Sequence, residues 1–223
     1  MFDLATKYCF YLDNDPKKSM RYFMLLLEIE NYVNGAVIQM NRLERHRARL
    51  RIMLNDIRES KKVNQNKFRS TYFACDTHYY FICIDKIYKL LKNLHEELND
   101  EKIKKLRARI NKYFNISTVR NHLEHIEDRC VGFLSLNDKK NNNKKQINDF
   151  GSFLGDDYTF NNEKYPSSKI SLKEIKDIYK ELIKILHHDY ALKNPEFTKR
   201  QEIEAEHEKI MKNLKKIGFI KKV

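Results

Sequence analysis

Apolar residues in the first third of the chain recur with a helical period. The string MRYFMLLLEIENYVNGAVIQM, from Met20 to Met40, is apolar over a wide stripe. NRLERHRARLRIMLNDIRES keeps the period at Leu43, Leu50, Met53, Leu54 and Ile57 while showing many arginines. This predicts a long helix starting near Pro16, capped from Asp13 to Asp15 and running towards Glu59, with a break near Gly35. A second helix is expected from about Phe68 to Leu98, apolar nearly all round before it becomes amphipathic. Its tyrosine and phenylalanine density would also suit a strand, but the unbroken helical pattern into LLKNLHEELND argues against one. A third helix, Asp100 to about Phe114, places Ile103, Leu106, Ile110 and Phe114 on one face. A fourth is expected to be capped by Ser117 or Thr118 and to turn Val119, Leu123, Ile126 and Cys130 inward.

The stretch from about 137 to 169 is polar, carries Gly151, Gly155 and Pro166, and reads as a surface insertion compatible with a small β-hairpin. Helical periodicity then resumes over about 170–217 as a pair, one helix from Ser171 and a charged one opened by Pro195 at its first position. The reading is an all-α bundle of about five to six helices, one domain over 1–223, with no internal repeat.

Composition agrees with helices: only five glycines and three prolines occur in 223 residues, too few for a sandwich or barrel with frequent turns. A hydrophobic share of 41% with 34% charged residues excludes a disordered chain. The net charge of +13 favours anionic partners. The abundance of Lys, Asn and Ile together is also what an A/T-rich genome yields, so charge alone does not decide function. Cys9, Cys75, Cys83 and Cys130 are too irregularly spaced for a zinc ribbon, and Cys75 and Cys83 are expected to pack as buried thiols. The opening MFDLATKYCFYLDND has no basic region ahead of a long apolar run, so neither a secretory signal nor a membrane span is expected, and cytoplasm is the default location.

The string RNHLEH carries the candidate chemistry. Asn121 and His125, four apart, share a helix face, while Arg120 lies about 140° round the axis from His125 and converges only through its long side chain near a first turn. A helix start there would favour a phosphate, with Arg120 as a bidentate clamp, Asn121 as orienter and His125, unperturbed pKa about 6.5, as proton-transfer group. The plain alternative is a surface Arg120–Glu124 pair and a helix-face His125 near Arg129. His122 with His125 could ligate a metal, but no further partner stands in a recognisable pattern, and no metal or cofactor is expected. Arg42, Arg45 and Arg49 follow helical spacing, with Arg47 and Arg51 beside them. They form a candidate RNA-guiding face or, equally, a solvated one. Tyr79, Tyr80 and Tyr88 read as core sooner than as base-stacking platforms. The groupings Cys75, Asp76, His78 and His187, His188, Asp189 are assigned no role.

With its helix order from about Met20 to Cys130, RNHLEH resembles the R-(polar)-x-x-x-H motif of the HEPN superfamily. The resemblance implies a metal-independent RNA endonuclease of toxin or antiviral-defence type. Attack would come from the ribose 2′-hydroxyl and leave 2′,3′-cyclic phosphate and 5′-hydroxyl ends, with Arg120, Asn121 and His125 as the catalytic set. It also implies a homodimer that joins two motifs in one cleft, and it leaves room for an antitoxin or other regulatory protein. HEPN toxins silenced by a nucleotidyltransferase carry a tyrosine two residues after the motif histidine. Here that position is Glu127, which puts such control in doubt. The alternative the resemblance allows is a non-catalytic HEPN module that dimerises or binds RNA or protein.

Overall fold

The computed structural model describes residues 3–13, 15–59, 70–116, 118–119, 158–160 and 163–216, and these are almost wholly helical. Helix α1 (Asp3–Tyr8) leads through a 3-10 turn (Cys9–Tyr11) into α2 (Pro16–Arg58), followed by α3 (Ser70–Leu98) and α4 (Glu101–Phe114). Two short antiparallel strands, β1 (Tyr158–Phe160) and β2 (Glu163–Tyr165), pair with Tyr158 opposite Tyr165. Helix α5 (Lys169–Ile185) continues through a π-helical turn (Leu186–Tyr190) and a 3-10 turn (Ala191–Lys193) to α6 (Pro195–Lys216). The chain divides into two compact units, residues 28–180 and residues 1–27 with 181–223. No helix among the described residues is long and apolar enough to cross a membrane.

In the 28–180 unit the buried stripe of α2 is Ile29, Val33, Ala36, Met40 and Leu43, an alternation of four and three that keeps one face inward. The helix starts where expected. Asp15 accepts the Lys17 amide at 2.9 Å through its side chain and the Ser19 amide at 2.9 Å through its carbonyl, ahead of Pro16. The expected break near Gly35 does not occur, for Gly35 lies inside continuous helix and a Cβ there would stand 2.9 Å from Cys83 Sγ. The glycine is a packing device. It lets α2 approach α3 closely, against a helix-propensity cost of about 1 kcal/mol.

Helix α3 is central, burying Phe73, Tyr80, Phe81, Ile84, Ile87, Leu91 and Leu94. Helix α4 buries Ile103, Leu106, Ile110 and Phe114, the four positions that its spacing predicts. Asp100 caps it, accepting Lys102 N at 2.7 Å, and Asn115 ends it in the left-handed region with φ 46°. Arg109 joins α4 to Glu174 of α5, and Tyr80 Oη meets Ser171 Oγ at 2.7 Å.

The other unit is organised by rings. Tyr8, Tyr11 and His187 surround the buried Phe197, with centroids at 6.5, 4.7 and 5.6 Å from its own.

Candidate functional site

The alternation of four and three along α2 does not stop at Leu43. Its next inward positions are His46 and Arg47, both buried, where a core helix would ordinarily place aliphatic residues. Each has a built environment. His46 Nε2 lies 2.9 Å from Asp76 Oδ2 of α3, and Arg42 Nε lies 3.0 and 3.1 Å from Oδ1 and Oδ2 of the same carboxylate. Asp76 is 3% exposed at its side chain, His46 10% and Arg42 51%. The carboxylate is thus held between a buried imidazole, at Oδ2, and a half-exposed guanidinium that meets both of its oxygens.

Arg47 forks the other way. Its Nη1 donates to Glu44 Oε1 at 2.7 Å, and its Nη2 donates to the Ser167 carbonyl at 2.7 Å, just beyond β2. The Phe73 ring separates the two systems, 5.7 Å from the Arg47 guanidinium and edge-on to His46 at 6.0 Å. A buried charge survives only with its partners in place, so this network fixes α2 against α3 and the segment after β2.

Arg42 is held through Nε, and half of its side chain is exposed. Arg45 and Arg49 are exposed on the same helix, three and seven residues on. At about 1.5 Å rise per residue the three span about 10 Å along the axis. Of the three arginines read as an RNA-guiding face, one is anchored on Asp76 and two stand in water. Such a ridge can take phosphate oxygens, the anchored guanidinium losing less side-chain entropy than the free ones.

Arg120, Asn121 and His125 lie outside the described residues, as do Cys130 and His122. The chain is helical at 116, 118 and 119, so the expected cap at Thr118 falls on a helical residue, and Ser117 lies outside the described residues. The Asn115 carbonyl accepts the Thr118 and Val119 amides at 3.0 and 3.2 Å, and Thr118 Oγ1 meets Asn115 Oδ1 at 2.9 Å. Ile116 and Val119 are buried, so RNHLEH begins at the residue after a core anchor.

The pairing of Asp76 with His46 is not evident from local sequence, in which Asp76 stands beside Cys75 and His78. The signal was the inward phase of α2, which His46 and Arg47 continue. Cys75 corrects another expectation, for it is exposed, together with Tyr72 and Tyr79 on one side of α3. Cys83 is buried, and burial pushes its thiol up to about 11. Tyr80 is core, whereas Tyr88 accepts a hydrogen bond from Arg107 Nη2 at 2.8 Å beneath its guanidinium. Among the described residues no three His, Cys, Asp or Glu side chains converge as a metal site.

No family model, curated protein or solved structure matches this chain.

Proposed function

We propose that the chain is a metal-independent RNA endonuclease of the HEPN type, acting as a homodimer. The observation that carries this reading is the placement of RNHLEH directly after Val119, a buried residue at the start of a helix. The Thr118 and Val119 amides are taken by the Asn115 carbonyl, so in this reading phosphate binding rests on the Arg120 guanidinium and proton transfer on the His125 imidazole. The exposed Arg45 and Arg49 beside the anchored Arg42 add a route for the RNA backbone.

In the proposed reaction His125 takes the proton of the ribose 2′-hydroxyl as that oxygen attacks phosphorus. The bond from phosphorus to the 5′-oxygen breaks, leaving a 2′,3′-cyclic phosphate on one product. Arg120 stabilises charge growing on the non-bridging oxygens, and Asn121 orients the phosphate or the imidazole. The leaving 5′-oxygen needs a proton, which the motif of a second copy would supply.

The test is incubation of the purified chain with labelled total RNA and tRNA in EDTA, beside Arg120→Ala and His125→Ala, with end-group analysis. Expected are cyclic-phosphate ends from the wild type and a loss of at least about 100-fold in rate for either variant. A folded, dimeric wild type as inert as both variants would leave a non-catalytic binding module in its place.

A further inference from the structure

Among its described side chains, helix α6 is buried only at its beginning. Asn194 Oδ1 accepts the Glu196 amide at 3.0 Å, and Phe197 is buried among Tyr8, Tyr11 and His187. After Phe197 no described side chain of the helix is buried, and Ile203 and Ile210 are 59% and 50% exposed. These isoleucines stand seven residues apart and so on one side of the helix. In the sequence His207 and Leu214 follow them by four, which is the spacing of a seam between paired helices.

Beyond Lys199 and Arg200 charge along α6 is segregated, with Arg200 pairing Glu204 and Lys212 pairing Glu208 within the helix. Positions 201–208 carry Glu202, Glu204, Glu206 and Glu208 with no Lys or Arg, and positions 209–216 carry Lys209, Lys212, Lys215 and Lys216 with no acid. Acid first and base last also suits the dipole of a lone helix. That account leaves the two exposed isoleucines at heptad spacing unexplained.

We propose that α6 is a self-association surface whose occupant is α6 of a second copy, laid antiparallel. In that orientation the glutamate block of each helix faces the lysine block of the other, whereas a parallel pair would align like charges. The register that brings Ile203 level with Leu214 also brings Ile210 level with His207. The contact is therefore the same on both copies, as a two-fold interface requires. A helix of 22 residues spans about 33 Å. An interface confined to it lies below about 1,200 Å², the range of transient association. The inference is independent of the nuclease reading, whose dimer joins the RNHLEH motifs.

Sedimentation of the full chain tests it, beside Ile203→Glu/Ile210→Glu, with helicity checked by circular dichroism. Both isoleucines are exposed, so the fold should survive the change. The wild type is expected to form a dimer at micromolar concentration that weakens at least about tenfold in the variant and weakens further as salt rises from about 0.1 to 0.5 M. In a Cys75→Ser/Cys130→Ser chain, Ile203→Cys with Leu214→Cys is expected to give a disulfide-linked dimer on mild oxidation, and Ile203→Cys alone none. Within one helix those two positions lie about 16 Å apart, too far to bridge. A monomeric wild type overturns the proposal, including one whose lysine block binds RNA or anionic vesicles. Cross-linking by Ile203→Cys alone overturns it as well. A dimer indifferent to Ile203→Glu/Ile210→Glu also overturns it, and leaves the nuclease dimer standing.

Discussion

Between Arg42 and Arg51 the two faces of α2 carry the same residue type in opposite circumstances. Arg47 is 4% exposed and donates to Glu44 and Ser167, whereas Arg45 and Arg49, two residues to either side, stand in water. Arg42 belongs to both faces, its Nε on Asp76 and half its side chain exposed. The inward charges are structural elements whose removal leaves partners stranded, and the outward ones are free for a ligand at little cost to the fold.

The comparison breaks most visibly at Asp76. Asp76→Ala leaves the buried His46 and the anchored Arg42 without their carboxylate, and is expected to cost about 3 to 5 kcal/mol in denaturant unfolding. Arg47→Ala should cost less, about 1 to 3 kcal/mol, because the Ser167 carbonyl loses the Arg47 donor while Glu44 keeps Lys169 at 3.5 Å. Arg45→Ala and Arg49→Ala should stay within about 0.5 kcal/mol of wild type. If all four variants unfolded at the same midpoint, the distinction between the faces would be lost.

The next largest effect is expected at Gly35, where α2 meets α3. Alanine there gains about 1 kcal/mol of helix propensity but puts a methyl 2.9 Å from Cys83 Sγ, and overpacking of this kind costs about 1 to 3 kcal/mol. Gly35→Ala should therefore be neutral to destabilising alone, and more stable than wild type when combined with Cys83→Ala if that pair relieves the clash. A double-mutant cycle reads the coupling directly, and additive effects would remove Cys83 as the reason for the glycine.

How much of this was legible follows from where each residue's partner lies. Helix α4 was readable throughout, since its cap at Asp100 and inward Ile103, Leu106, Ile110 and Phe114 are fixed by neighbours within a few positions. The α2 stripe was readable as far as Leu43. Beyond it the rule that charges face water assigns His46 and Arg47 outward, and only Asp76, thirty residues away, and Ser167, a hundred and twenty away, reverse that. Cys75 failed in the opposite sense. On α3 the run is apolar nearly all round, and composition cannot say that Tyr72, Cys75 and Tyr79 lie on its uncovered side. Of the motif, the sequence supplies all three residues and the described structure only the buried Ile116 and Val119 that precede them.

On the outer face the effects expected under the proposed nuclease reading are on RNA. Arg45→Ala and Arg49→Ala should each weaken binding of a short single-stranded RNA by about three- to tenfold at low salt and reduce the slope of log affinity against log salt by about 0.7. Lowered affinity with an unchanged slope would mean that the side chains do not meet phosphate.

The smallest expected effect sharpens the comparison with a third case, an ionisable group withdrawn from water without a carboxylate against it. His46 has Asp76 at its Nε2. The half-buried His187 instead faces the rings of Tyr8 and Phe197, and burial first, then the nearby His188 and Lys7, hold its pKa below the usual value. An imidazole whose folded pKa is depressed binds fewer protons in the native state than in the unfolded chain. Its contribution is complete above the unfolded value of about 6.5 and is lost as pH falls through the folded one. His187→Phe keeps a ring between Tyr8 and Phe197 and removes the proton site, so its melting temperature should fall less than that of the wild type between about pH 7 and pH 5. At pH 8 the two proteins should show no such divergence, because the wild-type imidazole is neutral in both states. Parallel curves across the whole range would show that protonation of His187 carries no weight in stability, and that withdrawal from water matters here only where a formal charge is enclosed.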